Sequence, residues 1–166
     1  MTSVVFPGQG SQTIGMAKDF HDNFMISKLI FEEIEDYTHI DLRKIIFNNE
    51  ENKLNLTQFT QICIFTASYV IFKTFSTENG LNNEKIELML GHSLGEYTAL
   101  ACSNRISLRD CSLILKKRGE LMNNAVYPNK TGMAALIGMT SDEIQNIINN
   151  NNLELEIAND NSNIQI

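Results

Sequence analysis

Apolar and polar positions along the chain follow two different periods, which predicts strands separated by helices. Short apolar runs at 3–6 and 86–90 are each closed by a glycine or a Pro-Gly pair, as expected of buried strands. The segments 132–139 and 153–159 are also predicted as strands, the second because its apolar residues alternate with polar ones. Strands that alternate with helices predict an α/β fold with a parallel sheet.

Apolar residues spaced three and four positions apart predict the helices between these strands. The longest is predicted from Thr57 to about Phe75 and is ended by the turn-forming segment 79–83. Thr140 followed by Glu143 is a capping box and predicts the start of another helix. The remaining predicted helices cover residues 27–38, 41–47, 94–102 and 107–124.

Composition indicates one ordinary globular chain of 166 residues, 43% hydrophobic and 20% charged. The net charge of −7 argues against a general nucleic-acid binder, which needs a basic face. The longest mostly apolar stretch, 62–72, is too short to span a bilayer and is interrupted by Thr66 and Ser68. The N-terminus lacks the basic and apolar regions of a signal peptide, so we expect neither nucleic acid nor membrane as a partner.

The three cysteines, Cys63, Cys102 and Cys111, are far apart and form no C-x-x-C pair. This spacing indicates neither a disulfide framework nor a zinc site. We therefore expect reduced core thiols, a cytoplasmic protein, and no metal or other cofactor.

Residues 91–95, Gly-His-Ser-Leu-Gly, fit the pattern G-x-S-x-G between the predicted strand 86–90 and the predicted helix 94–102. That context is typical of a nucleophile elbow, in which Ser93 lies on a strained turn and helix N–H groups face an incoming oxyanion. The alternative is a strand-to-helix bend without chemistry.

The chain offers no credible base for this serine. His92 is adjacent to Ser93, and neighbouring side chains in an elbow point apart, so a structural role is favoured. His21 and His39 are predicted to be surface residues, and no histidine follows Ser93. A triad in the chain order Ser, Asp/Glu, His is therefore absent, and we expect the base beyond Ile166 or on another chain.

The loop 8–15 is glycine-rich but fits neither common phosphate-binding motif. Met16 stands where a Walker loop needs lysine, and Thr13 stands where a dinucleotide fingerprint needs its third glycine. It is interpreted either as a turn whose backbone can approach a ligand closely or as an ordinary turn after a strand.

Arg118 is a charged residue on an apolar helical stripe. The adjacent Gly119 costs a helix about 1 kcal/mol relative to alanine, which indicates close approach of another element. Arg118 is interpreted as a guanidinium that binds a carboxylate through two hydrogen bonds. The alternative is an arginine that extends to solvent or pairs with an internal acid. The stripe consists of Cys111, Leu115, Arg118, Met122 and Ala125.

Four segments occur in the order and spacing of a known family: FPGQGSQTIGM near the N-terminus, TQICIFTAS at 60–68, GHSLGEYTAL at 91–100 and KRGELMNNA at 117–125. Together they resemble the malonyl-CoA:acyl-carrier-protein transacylases, and the resemblance extends over essentially the whole chain. It implies transfer of a malonyl group from malonyl-CoA to the phosphopantetheine thiol of acyl carrier protein, without a cofactor.

The resemblance also implies roles for individual residues. Ser93 would carry the malonyl group, the backbone N–H groups of Gln9 and Leu94 would form the oxyanion hole, and Arg118 would bind the free malonyl carboxylate. Further residues assigned to the pocket are Gln61 and His92.

The family fold implied is an α/β hydrolase-like sheet, here incomplete, with a small inserted ferredoxin-like subdomain. Residues 1–130 would form the N-terminal part of the hydrolase-like domain, and 131–166 would begin the subdomain. Family members are nearly twice this length, so we expect a fragment, a split enzyme completed by a second chain, or an inactive remnant. A serine hydrolase or thioesterase with the same elbow is the alternative enzyme.

Overall fold

The computed structural model describes residues 2–81, 85–125 and 132–162. These residues divide into two compact units, Met1–Val126 and Tyr127–Ile166. The first unit contains the described β-strands and most of the helices. The second contains one described α-helix.

The sheet of the first unit pairs two parallel strands, β1 (Ser3–Phe6) and β2 (Leu88–Gly91). Ser3 lies opposite Leu88 and Phe6 lies opposite Gly91. The predicted strands at 3–6 and 86–90 are therefore present, the second shifted toward the glycine. Because both strands run in the same direction, their carboxyl ends lie side by side, and the loops that follow them meet there. This confirms the predicted α/β class with a parallel sheet.

Helices occupy most of the first unit. All the helices predicted in this unit are present, with boundaries moved by a few residues, whereas the short first helix and a 3-10 helix were not predicted. The helices of this unit are α1 (Lys18–Asn23), α2 (Met25–Thr38), α3 (Leu42–Asn48), the 3-10 helix (Glu50–Asn55), α4 (Thr57–Glu78), α5 (Leu94–Cys102) and α6 (Leu108–Asn124).

Helix α4 is the centre of the core, because α2, α5 and α6 all pack against it. Ile62, Phe65 and Val70 are completely buried, and their side chains leave the helix in different directions. A helix that is apolar on nearly all sides is a core helix. Its buried Thr66 hydroxyl donates to the Ile62 carbonyl oxygen 2.8 Å away, which satisfies this polar group inside the core.

In the second unit, α7 (Ser141–Asn150) begins at the predicted capping box, in which the Thr140 side chain and Glu143 bond each other's backbone N–H groups. The predicted strands at 132–139 and 153–159 are wrong for the described residues, since neither forms a strand and only Ile137 in these ranges makes a single bridge.

Exposure gives the physical reason for that error. Met133, Ile137 and Leu155 are 82%, 76% and 61% exposed. An alternating pattern stabilises a strand only where its apolar face is buried and its backbone groups are paired.

Candidate active site

Ser93 lies on the sharp turn between β2 and α5, as the motif predicts. Its backbone has φ 55° and ψ −111°, a left-handed conformation that costs a non-glycine residue energy. The turn closes through a hydrogen bond from the Gly95 N–H to the His92 carbonyl oxygen, 2.9 Å long. The serine side chain is thereby held in an exposed position at the start of α5.

The two glycines of the motif are required by backbone contacts. A Cβ atom on Gly91 would lie 2.1 Å from the carbonyl carbon of Gly95, and one on Gly95 would lie 2.4 Å from the carbonyl oxygen of Phe6. Real Cβ atoms do not approach backbone atoms this closely. The turn therefore packs directly on the end of β1, and only glycine fits at both positions.

Arg118 reaches the nucleophile from α6. Its Nη2 atom donates a hydrogen bond to Ser93 Oγ over 3.0 Å. Its Nη1 atom donates a hydrogen bond to Oε1 of Gln61, which is fully buried on α4. Arg118 is half-buried, and these hydrogen bonds pair it with neutral groups at the elbow and not with an internal acid.

Two further side chains contact Arg118 or Gln61 and were not predicted as site residues. The Tyr97 ring lies under the guanidinium, with 5.7 Å between its centroid and Arg118 Cζ. Met122 Sδ accepts a hydrogen bond from Gln61 Nε2 at 3.0 Å. Helical spacing could have placed Tyr97 one turn after Ser93 and Met122 one turn after Arg118, but it does not reveal the contact of Met122 with Gln61.

Gly119 allows α6 to pack closely against the first turn of α4. A Cβ atom at this position would lie 2.8 Å from the carbonyl oxygen of Gln58 and 3.0 Å from that of Thr57. The close approach inferred from the glycine is confirmed, and the neighbouring element is the first turn of α4. This contact brings Arg118 within reach of Gln61.

The loop after β1 lies against the elbow. A Cβ atom on Gly8 would come within 2.8 Å of both the ring Nδ1 and the carbonyl oxygen of His92. The backbone N–H of His92 donates to the Phe6 carbonyl oxygen at 3.2 Å. The next residue of the loop, Gln9, donates from Nε2 to Thr57 Oγ1 at 3.2 Å. The structure thus places Gln9 between the elbow and the start of α4.

The buried Leu94 is the first residue of α5 and directly follows the nucleophile. The first turn of α5 also holds a hydrogen bond from the Glu96 N–H to the Ser93 carbonyl oxygen at 3.1 Å. The helix begins at the serine, so its N-terminal N–H groups and their partial positive charge lie beside the hydroxyl.

The upstream histidines do not serve Ser93. His39 is exposed at the end of α2, as predicted. The prediction of a surface position for His21 is wrong, because its side chain is only 17% exposed and packs edge-on against Phe31 and Phe47. The ring contributes apolar edges to a core made of aromatic side chains, a contact between distant residues that local polarity does not reveal.

The hydrogen-bond partner that the structure shows for the Ser93 hydroxyl is Arg118, and a guanidinium donates hydrogen bonds without accepting any.

Within residues 2–81, 85–125 and 132–162, no group of three or more His, Cys, Asp or Glu side chains is arranged to hold a metal ion. No helix in the same ranges is long and apolar enough to cross a membrane.

A serine on a glycine-flanked strand-to-helix elbow, with helix N–H groups beside it, is typical of proteins that transfer or hydrolyse acyl groups through a serine. Residues 4–166 match the acyl transferase domain family, and the chain belongs to that family.

Individual relatives agree with this assignment. The chain is 35% identical over 143 residues to the malonyl CoA-acyl carrier protein transacylase of Bacillus subtilis strain 168, a match that covers 86% of this chain and 44% of that protein. The malonyl CoA-acyl carrier protein transacylase structure from Coxiella burnetii superposes with a TM-score of 0.87 at 34% identity, over 99% of this chain and 52% of that one.

A malonyl-transacylase solved in complex with its type II PKS acyl-carrier protein superposes with a TM-score of 0.81 at 34% identity, over 90% of this chain and 47% of that one. The chain therefore spans about half the length of the relatives it matches.

Proposed function

We propose that this chain provides the nucleophile and the carboxylate-binding arginine of an enzyme that transfers malonyl groups from malonyl-CoA to acyl carrier protein, a step of fatty-acid biosynthesis. The observation that carries the proposal is the 3.0 Å hydrogen bond between Arg118 Nη2 and Ser93 Oγ. A permanent cation in contact with an acyl-accepting oxygen suits an acyl group that ends in a carboxylate.

The reaction proceeds in two balanced transfers. Ser93 Oγ attacks the thioester carbonyl of malonyl-CoA, its proton passes to a base, and the carbon–sulfur bond breaks to release CoA as a thiol. The phosphopantetheine thiol of acyl carrier protein then attacks the malonyl-serine ester, which restores the Ser93 hydroxyl. A covalent intermediate of this kind divides one difficult transfer into two easier ones.

The backbone N–H groups of Gln9 and Leu94 are proposed to stabilise the oxyanion formed in each step. Their placement supports this role, since Leu94 opens α5 directly after Ser93 and Gly8, the neighbour of Gln9, packs against His92. Donors that are fixed before the reaction stabilise developing charge at little reorganisation cost. In this arrangement His92 joins the loop to the elbow, and Gln61 lines the pocket behind Arg118.

The carboxylate end of the malonyl group is proposed to bind Arg118. In a malonyl ester of Ser93 the free carboxylate lies one methylene beyond the carbonyl carbon, so it remains beside the guanidinium that already contacts Oγ. Gln61 on one side and the Tyr97 ring beneath hold the guanidinium plane. Acetyl and longer unsubstituted acyl groups lack this ionic partner.

We propose that the base that takes the Ser93 proton lies in the part of the relatives' length that this chain does not span, or on a second chain. The support for a base elsewhere is that Ser93 pairs with an arginine, which cannot accept a proton.

We further propose that residues 1–130 are the N-terminal part of a hydrolase-like domain and that 131–166 are the start of a ferredoxin-like subdomain. A cytoplasmic location is proposed because the buried thiols of Cys63 and Cys111 suit a reducing compartment.

Intact-mass spectrometry of the full-length protein incubated with malonyl-CoA tests the proposal. We expect one added malonyl group in the wild type and none in Ser93→Ala, whereas Ser103→Ala, a serine just after α5, keeps the label. Adding phosphopantetheinylated acyl carrier protein should remove the label much faster than buffer does. Equal labelling of the wild type and Ser93→Ala would refute the assigned nucleophile, and equal removal by buffer would indicate a hydrolase.

A further inference from the structure

The Gln61 amide joins two side chains of α6 that lie one helical turn apart. Its Oε1 atom accepts a hydrogen bond from Arg118 Nη1, and its Nε2 atom donates to Met122 Sδ at 3.0 Å. Gln61 itself is on α4 and is completely buried. Met122 is 43% exposed, but the amide that it contacts is buried, and the two contacts together determine which way the amide faces.

The chemistry of the two partners makes this orientation unambiguous. A protonated guanidinium only donates hydrogen bonds, and a thioether sulfur only accepts them. If the amide turned over, its NH2 group would face the N–H groups of Arg118 and its oxygen would face the Met122 sulfur, so both contacts would be lost. Met122 and Arg118 thus select the same orientation of Gln61 from opposite ends.

We propose that Met122 is a positioning residue for the malonyl carboxylate, acting through Gln61 on Arg118. Its sulfur holds the amide so that Oε1 fixes Nη1 of the guanidinium, which leaves Nη2 directed at Ser93 Oγ. This inference rests on the proposed function and deepens it, because it names a side chain that determines selectivity for carboxylated acyl groups without contacting them.

Leucine is the informative substitution, because it keeps the approximate volume of methionine and removes the acceptor. In the full-length protein, Met122→Leu should lower the ratio of kcat/KM for malonyl-CoA to that for acetyl-CoA by about fivefold, the loss expected from one hydrogen bond. The rate with acetyl-CoA should fall less than the rate with malonyl-CoA. Met25→Leu, at a position that is 68% exposed on α2, is the matched control and should change neither rate.

A double-mutant cycle separates positioning from packing. In a Gln61→Leu background there is no amide to orient, so adding Met122→Leu should produce no further loss of selectivity. The same additional loss in both backgrounds would overturn the inference. Equal losses for malonyl-CoA and acetyl-CoA in Met122→Leu would also overturn it, because that result indicates a general packing defect.

Exchange of the Arg118 guanidinium protons with solvent, measured by nitrogen-15 NMR, reports how firmly the guanidinium is held when no substrate is present. We expect slow exchange in the wild type and faster exchange in Met122→Leu, with Met25→Leu unchanged. Unchanged exchange in Met122→Leu would overturn the inference whatever the activity shows. Faster exchange in a protein that accepts no malonyl group would retain the positioning role and overturn the proposed function, so the two failures are distinguishable.

Discussion

The guanidinium of Arg118 is in direct contact with the hydroxyl of Ser93, through a hydrogen bond of 3.0 Å from Nη2 to Oγ. The contact joins the turn before α5 to helix α6, between residues that are 25 positions apart in the chain. It places a permanent positive charge at the oxygen that would carry the acyl group. Under the proposed function, this charge favours acyl groups that bring a negative charge to the same place.

The first prediction concerns this charge. Arg118→Ala should lower the preference for malonyl-CoA over acetyl-CoA by roughly 100-fold, since a charge-assisted pair of hydrogen bonds to the carboxylate is lost. Transfer of acetyl groups should persist, because an acetyl group makes no use of the cation. Initial rates with both thioesters at several concentrations measure the ratio.

Two variants of the same helix make this test specific. Arg109→Ala removes an exposed arginine from α6 and should leave the preference unchanged. Arg118→Lys keeps the charge but loses the planar pair of donors, so it should fall between the wild type and Arg118→Ala. An unaltered malonyl preference in Arg118→Ala would show that the carboxylate binds elsewhere.

The second prediction concerns the elbow. Gly95→Ala should lower the free energy of unfolding by about 3 kcal/mol, because a new Cβ atom would lie 2.4 Å from the Phe6 carbonyl oxygen and backbone must move to admit it. Gly132→Ala is the control, since a Cβ atom there meets nothing within 4 Å. Urea unfolding followed by circular dichroism compares the two. A Gly95→Ala protein as stable as the control would contradict the packing described for the turn.

The sequence predicted the elbow well because its signals are local. Gly91, Ser93 and Gly95 are close in the chain, and the geometry that requires them is a single turn. The pairing of Gln61 with Met122 could not be predicted in this way, since it depends on the packing angle between two helices. Periodicity identifies which side of α6 is apolar, but it does not identify the residue of α4 opposite each position.

The wrong predictions, a strand at 153–159 and a surface position for His21, also concern contacts between distant parts of the chain. The segment 153–159 alternates as a strand should, but alternation describes only one side of a pairing, and Leu155 remains 61% exposed. His21 has polar neighbours in the chain and aromatic neighbours in space. In both cases the outcome depends on partners distant in sequence, and a single sequence carries little information about them.

The third prediction concerns the cysteines. Burial raises the pKa of the Cys63 thiol to about 12 and that of Cys111 to about 12, so almost no thiolate, the reactive form, exists at pH 8. We expect both to resist iodoacetamide in the folded protein and to react readily in urea. Peptide mass spectrometry assigns the modified residues. Rapid alkylation of Cys63 under native conditions would contradict its burial in α4.

The last prediction concerns Gly119, which positions the helix that carries Arg118. Alanine would favour the helix by about 1 kcal/mol through its higher intrinsic propensity. However, its Cβ atom would lie 2.8 Å from the Gln58 carbonyl oxygen, and that oxygen belongs to the first turn of α4 and cannot yield freely. The clash outweighs the propensity, so Gly119→Ala should destabilise the protein by about 1–3 kcal/mol.

The same substitution should also weaken the binding of malonyl-CoA more than that of acetyl-CoA, because moving α6 away from α4 separates Arg118 from Gln61. Lys117→Ala, at a side chain that is 67% exposed on the same helix, serves as the control for both measurements. A Gly119→Ala protein that is more stable than the wild type would show that propensity dominates and that α6 does not press on α4. Equal weakening for the two thioesters would show that the Gly119 contact supports the fold and not the position of the guanidinium.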